Sequence, residues 1–453
     1  MSVLLTALEI GAARAVAELS RRLGRGAGMT IPGKLLSKVD PRAIDRLATR
    51  LPAGAAVISA TNGKTTTAAM AAEILRPRFR LAHNHSGANL VSGVASTLLA
   101  ARNAELGLLE VDEGALPEVL RRVRPRAVSL GNLFRDQLDR YGELELIAER
   151  WRTAVAALPP STVVVVNGDD PQVGSLGSGL VYGVDDPSVA RPSLQHAADS
   201  KYCIRCGTPY DYRAAYVGHL GDYHCPNCGH ERPPLDVAAR SIELHGLERT
   251  IFDLVSPGGI RRIELALPGL YNVYNALGAA SLALALEVPL DDVAAGLGRF
   301  SAAFGRFERI TIDDKRLLLL LIKNPAGANE AIRTLVDGGA PKLAVVALND
   351  AIADGRDVSW IWDVDFEPLL DGLDTVVVTG ARAAELALRF KYGGFDESRI
   401  VVEPALGAAV DRGLALTPGG GELVVLPTYT AMLEVQAIVA ERGLAKRYWE
   451  RAA

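Results

Sequence analysis

The chain has 453 residues, of which 49% are hydrophobic and 23% charged, with a formal net charge of −4, the balance of a folded protein of two or three domains. Lys and Arg number 49 against 53 Asp and Glu, which excludes the basic excess of a nucleic-acid coating protein. The longest apolar block, residues 317–322, falls far short of the roughly 18–20 residues of a bilayer-spanning helix, so a soluble, cytoplasmic chain is expected.

At the N-terminus, Arg14, Arg21 and Arg22 stand among Ala, Leu and Glu at helical spacing, without the ordered charge, apolar core and cleavage site of a signal peptide. Residues 1–50 read as an N-terminal helical segment. Residues 55–60 read as a short buried strand that runs into Thr61-Asn62-Gly63-Lys64-Thr65-Thr66-Thr67, and Ala-rich helical sequence follows to Leu75. Strand, polar loop and helix N-terminus in that order suit phosphate binding. Gly63 lets the backbone approach, Lys64 adds charge at the terminal phosphates, and Thr65 offers a hydroxyl to Mg²⁺. The strict G-x-x-x-x-G-K-[ST] pattern is not met, because Ile58 stands five before Gly63. The context carries the reading.

Strands at 106–111, 127–130 and 162–166 alternate with helices at 116–123 and 144–158, which predicts a largely parallel, doubly wound sheet. Glu110 and Asp112 end the strand at 106–111 and share one side by alternation. At a carboxyl strand end either can hold Mg²⁺, directly or through water; a solvated acidic turn is the simpler alternative.

From about 186 to 234 the composition shifts to Pro, Ser, Tyr, Cys and His. All four cysteines lie here as C-x2-C, 18 residues, C-x2-C: Cys203, Cys206, Cys225 and Cys228. Two such pairs place four thiolates around a tetrahedral Zn²⁺, with Gly207 and Gly229 permitting the tight turns. Two disulfides are the alternative, disfavoured in a reducing compartment. The expectation is a structural zinc ribbon inserted at about 198–235. Every thiol is then committed, and the chain has no cysteine to act as a nucleophile.

A boundary falls at 304–309. Strands at 317–322, 343–348, 375–378, 400–402 and 422–426 alternate with helical stretches beyond it, so 305–453 reads as a smaller C-terminal α/β domain. Asp350, Asp354 and Asp357 lie beside Trp360 and Trp362. That segment is either an aromatic interface or a polar loop held by its own hydrogen bonds.

Taken in series, the phosphate loop, Gly87-Ala88-Asn89, Glu110, Asn132 with the DQLDR run at 136–140, Asn167-Gly168-Asp169-Asp170-Pro171, Asn272 and Asn275, and Gly305-Arg306-Phe307-Glu308 resemble the Mur ligase family. Its members are ATP-dependent amino-acid and peptide ligases of bacterial wall synthesis. The resemblance implies a Mur-ligase-type central ATPase domain over 51–304, with a parallel sheet and the inserted ribbon, followed by the smaller α/β domain. It implies that Asn62, Gly63, Lys64, Thr65 and Thr66 cradle ATP, that Thr65 and Glu110 hold Mg²⁺, and that Asn275 and Arg306 lie near the nucleotide. Simpler roles exist: Asn272 and Asn275 as helix caps, and Arg306 paired with a carboxylate. Ala60 stands where the family usually has Gly. Many members also use a carbamylated lysine to support a second metal, whereas no lysine occurs between Thr65 and Ser200.

The ribbon, the KNPAG run at 323–327 and the segment 349–363 are similar to one branch of the family. That branch amidates the α-carboxylate of D-glutamate in the lipid II stem peptide at the inner membrane face, as a heterodimer with a GatD-like class I glutaminase. The resemblance implies that Asp357, with Asp354 and Asp350 as alternatives, orients the partner's catalytic histidine. Two competing readings are a stand-alone amino-acid ligase and a nucleic-acid-binding NTPase that uses the ribbon as its reader. Against the latter stand Asp211, Asp222, Glu231 and Asp236 around the ribbon. Tyr202, Tyr210, Tyr212, Tyr216 and Tyr223 could stack bases, but read rather as the packing of a small ribbon.

Overall fold

The structure, a computed structural model, describes residues 31–84, 88–136, 143–177, 179–195, 198–300 and 307–443. Two short helices, α1 (Ile31–Val39) and α2 (Ala43–Ala48), open the described chain; the segment read as helical before them lies outside it. Then β1 (Ala55–Ser59), α3 (Lys64–Leu75), β2 (Leu81–His83), α4 (Val91–Ala100), β3 (Leu106–Glu110), α5 (Leu116–Val123), β4 (Ala127–Leu130), α6 (Leu144–Ala156), β5 (Val163–Asn167) and β6 (Leu180–Val184) follow in α/β alternation.

The hairpin β7 (Asp211–Val217) and β8 (Leu220–His224) stands as a separate two-stranded sheet. The strands β9 (Val237–His245), β10 (Arg249–Ser256) and β11 (Gly259–Leu265) then extend the main sheet, and α7 (Leu270–Ala285) and α8 (Leu290–Arg299) cover it. The order is β11-β10-β9-β6-β5-β4-β1-β3-β2. It is parallel from β2 to β9 and antiparallel across β9, β10 and β11. The central strands β1, β3 and β4 are buried on both faces, as crossover helices on both sides require. The Ala-rich sequences of α3 and α7 let these two helices pack closely.

β1 lies between β3 and β4, where successive connections leave in opposite directions. The crevice at such a switch point, outside the carboxyl strand ends, is where open α/β sheets bind ligands. The loop after β1 occupies it.

A second sheet of six strands, in order β12-β13-β17-β14-β15-β16, is formed by β12 (Phe307–Ile312), β13 (Lys315–Leu320), β14 (Leu343–Ala347), β15 (Thr375–Thr379), β16 (Ile400–Val402) and β17 (Glu422–Pro427). Only its β12–β13 pair is antiparallel. Its helices are α9 (Pro325–Asp337), α10 (Glu367–Gly372), α11 (Ala383–Tyr392), α12 (Leu406–Leu416) and α13 (Tyr429–Glu441). Among the described residues, no helix is long and apolar enough to cross a membrane.

Candidate active site at the phosphate loop

Residues 60–63 connect β1 to α3 and leave Lys64 at the helix N-terminus, the end of a helix whose first backbone N–H groups have no intrahelical acceptor. Gly63 caps the helix at φ +84°, a left-handed conformation that costs any side chain about 1–2 kcal/mol. A Cβ there would also overlap Asn275 Oδ1. Asn275, on α7, accepts from Thr67 Oγ1 at 3.3 Å and donates to Asn272 Oδ1 at 3.0 Å, while Asn272 Nδ2 donates to the Pro268 carbonyl. Asn272 thus supports the turn entering α7, and Asn275 reaches across to the phosphate loop.

Lys64 is buried, and its ammonium donates to the Ala60 and Thr61 carbonyls and to Glu113 Oε2 at 2.7 Å. Burial works to lower its pKa, but Glu113, then Asp112 and Glu110, override that and hold it above the ordinary 10.5. Burial likewise pushes Glu113 upward, yet Lys64 and Lys323 hold it below its ordinary 4.5.

The carboxyl end of β3 places Glu110 against the loop. Its Oε1 accepts from Thr65 Oγ1 at 3.0 Å and from Asn89 Nδ2 at 3.3 Å. The Asn84 side chain fixes the Glu110 backbone through its N–H and carbonyl. Glu110 Oε2 is buried and has no hydrogen-bond partner among the described residues. An orphaned carboxylate oxygen beside a threonine hydroxyl is the oxygen donor set that Mg²⁺ takes, so the two residues fit that ion.

Sequence reasoning gave no role to several residues that complete this site. Glu113 belongs to the same acidic run as Glu110 and Asp112. Asn132 clamps the loop: its Oδ1 accepts from Asn62 N at 2.8 Å and its Nδ2 donates to the Asn62 carbonyl. From the second sheet, Asn324 exchanges two amide hydrogen bonds with Asn62, at 3.0 and 3.1 Å, and caps α9 by accepting from Gly327 N. Lys323 donates to the Thr61 carbonyl and to Asp136. Between the sheets lies a cavity of about 120 Å³, with Asn62, Gly63, Thr66 and Asn275 on one side and Lys323 and Glu330 on the other. Arg306, Gly87 and residues 137–140, expected near this site, lie outside the described residues.

The four cysteines are free thiols, not two disulfides. Their sulfurs lie within 4.8 Å of one another, with Cys203 to Cys228 and Cys206 to Cys225 each at 3.5 Å. In a tetrahedral site with metal–sulfur bonds of about 2.3 Å the sulfurs are about 3.8 Å apart, so the cluster has the dimensions to hold such an ion. Gly207 and Gly229, at φ +73° and +71°, close the two turns by donating to the Cys203 and Cys225 carbonyls. Tyr210, Tyr212 and Tyr223 pack around the cluster, as expected for a ribbon with little core of its own, whereas Tyr216 belongs to the main core and Tyr202 is exposed.

Asp357 lies at the surface of the second sheet's domain, where its Oδ1 accepts from Ser359 N at 2.9 Å and those hydrogen bonds hold its carboxyl below the ordinary value. Asp354 is buried and accepts from Thr430 N and Thr430 Oγ1 at the start of α13; Asp350 is bound to Arg382 Nε at 2.9 Å. Nearby, the rings of Trp362 (50% exposed) and Tyr392 (73%) meet at a tilt of 48°, their centroids 6.2 Å apart.

A family model described as "Mur ligase middle domain" matches residues 58–182, and one described as "MurT ligase C-terminal" matches 321–432. The chain is 33% identical to the lipid II isoglutaminyl synthase (glutamine-hydrolyzing) subunit MurT of Streptococcus pneumoniae R6, covering 98% of each chain.

The chain belongs to the MurT family.

The MurT subunit of Staphylococcus aureus N315 is 30% identical, over 92% of this chain and 94% of that one. The MurT fold of this chain is that of Mur ligases more widely: a pseudomurein peptide ligase type C from Methanothermus fervidus superposes with a TM-score of 0.69 at 21% identity, over 86% of this chain and 78% of the other.

Proposed function

We propose that this chain is the synthetase subunit of a lipid II isoglutaminyl synthase of bacterial peptidoglycan synthesis. It would use ATP to amidate the α-carboxylate of D-glutamate in the stem peptide, with ammonia supplied by a class I, GatD-like glutaminase in a heterodimer. The observation that carries this reading is the match along the whole chain to relatives named for that glutamine-hydrolysing reaction.

A carboxylate does not react with ammonia at neutral pH because oxide is its leaving group. Transfer of the γ-phosphoryl makes an acyl phosphate; ammonia then adds to the acyl carbon and phosphate departs. The loop 62–66 would cradle the transferring phosphates through the N–H groups of 63–66 and the Lys64 ammonium, with Lys64 leaving its pairing with Glu113 in part to do so. Thr65 and Glu110 would hold Mg²⁺, which when bound offsets charge on the phosphates. Lys323 stands beside the loop as a second cation for the transferred group. Asn275, and Arg306 at the junction of the two domains (51–304 and 305–453), would face the nucleotide.

Glutamine hydrolysis needs a cysteine nucleophile, a histidine base and an orienting carboxylate. All four cysteines of this chain are in the ribbon, where we assign them to a structural Zn²⁺. The nucleophile therefore belongs to the partner; we assign the base to the partner with it, and Asp357 would supply the carboxylate. Unlike Asp354 and Asp350, it is exposed and has no ion pair among the described residues. The aromatic surface of Trp362 and Tyr392 offers the contact. The subunit would work in the cytoplasm, meeting the inner membrane face through its substrate.

The test is ADP release by this chain together with its glutaminase, using lipid II and either glutamine or ammonium. The proposal predicts one amidated stem peptide per ADP with either nitrogen source. Turnover that requires an amino acid and ignores ammonium would make the chain a stand-alone ligase.

A further inference from the structure

One hairpin joins the four cysteines to the phosphate loop. β7 and β8 leave Tyr210 and Cys225 and run about 20 Å, at roughly 3.3 Å per residue, to a turn at Gly218 and His219. The cysteine end packs in its own small cluster, but Ala214, Tyr216, Val217 and Leu220 at the far end belong to the main core. A ribbon that stabilised only itself would not bury its tip there.

The tip makes three sets of contacts. Gly218, at φ +59°, faces the Phe134 ring so closely that a Cβ would stand 2.7 Å from Cε1. The His219 ring lies 4.6 Å from that of Phe134, and its Nε2 is 3.4 Å from Asp170 Oδ2. Phe134 N donates in turn to Thr61 Oγ1 at 3.1 Å, so the turn supports the phosphate loop through one residue. Val217 and Leu220 form apolar wall of the cavity. Lastly, the Tyr216 carbonyl accepts from Arg333 at 3.1 Å and from Arg191 at 3.2 Å, and Arg191 pairs with Glu330. Arg333 and Glu330 lie on α9, the helix that Asn324 caps beside Asn62.

We propose that the β7–β8 hairpin is a brace for the nucleotide pocket, fixing the phosphate loop, the cavity wall and α9 together, so that nucleotide affinity depends on an intact four-cysteine cluster. An isolated two-stranded hairpin is marginal, and this one is interrupted by register shifts at Tyr212/Ala214 and Ala215/Val217. Cross-linking its open end holds the register that presents the tip. The inference rests on the reading that the cavity takes ATP.

The experiment is calorimetric titration of the full-length chain with a non-hydrolysable ATP analogue and Mg²⁺. It compares the metal-loaded wild type, the same protein stripped by a chelator, Gly218→Ala, Leu220→Ala and Lys64→Ala. Leu220→Ala loosens the tip without any left-handed strain, which covers the case in which Gly218→Ala fails to fold. The stripped protein and the tip variants should bind about tenfold more weakly with unchanged stoichiometry, the tip variants keeping their metal, and Lys64→Ala should lose binding. Unchanged affinity in the stripped and tip-altered proteins, alongside loss in Lys64→Ala, overturns the brace and leaves the ATP site standing. A fall in stoichiometry at constant affinity makes the ribbon a folding element only, and also overturns it. Full binding by Lys64→Ala instead refutes the assignment of the cavity to ATP.

Discussion

Replacing Lys64 with methionine would remove one half of an ion pair whose side chains are 7% and 5% exposed and 2.7 Å apart. Taking one partner from a buried pair costs about 3–5 kcal/mol, because the Glu113 carboxylate stays in a dry site with Lys323 as its remaining cation. At about 2–4 °C per kcal/mol for a domain of 150–250 residues, Tm near neutral pH should fall on the order of 10 °C. The deficit must also depend on pH. Glu113 sits below its ordinary 4.5, so its contribution is full above that value and is lost as pH falls through its folded pKa. Lys64 sits above its ordinary 10.5, so its contribution is full below that value and is lost as pH rises through its folded pKa. The pair is whole across the neutral range. In Lys64→Met an unpaired, buried Glu113 takes up a proton more readily, and the difference from wild type should shrink as pH approaches about 4. Scanning calorimetry of both proteins from about pH 8 to 4 measures this. A deficit under about 1 kcal/mol, typical of an exposed pair, or one that does not change with pH, refutes the reasoning.

Gly63→Ala should destabilise the chain by more than the roughly 1–2 kcal/mol of the left-handed backbone, since its Cβ meets Asn275 Oδ1. Adding Asn275→Ala should restore part of the Tm, and no recovery would mean that this contact is unimportant. Glu110→Gln keeps an acceptor for Thr65 and Asn89 but loses the charge; the Mg²⁺ concentration needed for ATP turnover should rise at least about tenfold, and an unchanged Mg²⁺ dependence would exclude Glu110 as a ligand. Asp354→Ala removes the buried acceptor at the start of α13 and should cost about 0.5–2 kcal/mol in thermal unfolding, whereas Asp357→Asn at the surface should leave Tm unchanged.

Much of this molecule could be read locally. The strands at 127–130 and 400–402 and the helix at 116–123 coincide residue for residue with β4, β16 and α5, because short apolar strands between breakers, and Leu116, Val119, Leu120 and Val123 at helical spacing, leave few alternatives. The cysteine spacing gave the ribbon for a related reason: a knuckle is a contact within a few residues. What escaped was non-local. The antiparallel extension β9–β11 has exposed residues along one face of an edge and so lacks the apolar runs that marked the parallel strands. Lys323 and Asn324 reach the phosphate loop across 262 positions of sequence, and no periodicity encodes such a pairing. Glu113 stood one residue beyond the acidic pair that was singled out; the β3 strand ends at Glu110, and the turn that follows brings Glu113 back to Lys64. Resemblance put Asp357 ahead of Asp354 and Asp350, but no residue pattern separated the three physically; that needs Asp354 buried at the start of α13 and Asp350 bound to Arg382.

The central claim is that this chain activates a carboxylate while lending one carboxylate of its own to a partner's glutaminase site. Asp357→Asn tests it most directly, because the amide still accepts from Ser359 N and the loop keeps its shape while the charge is lost. With the glutaminase and lipid II present, amidation driven by glutamine should fall by about 10²–10⁴-fold, and amidation driven by ammonium should equal that of wild type. Full glutamine-driven activity in the variant, or an equal loss with both nitrogen sources, would contradict the account.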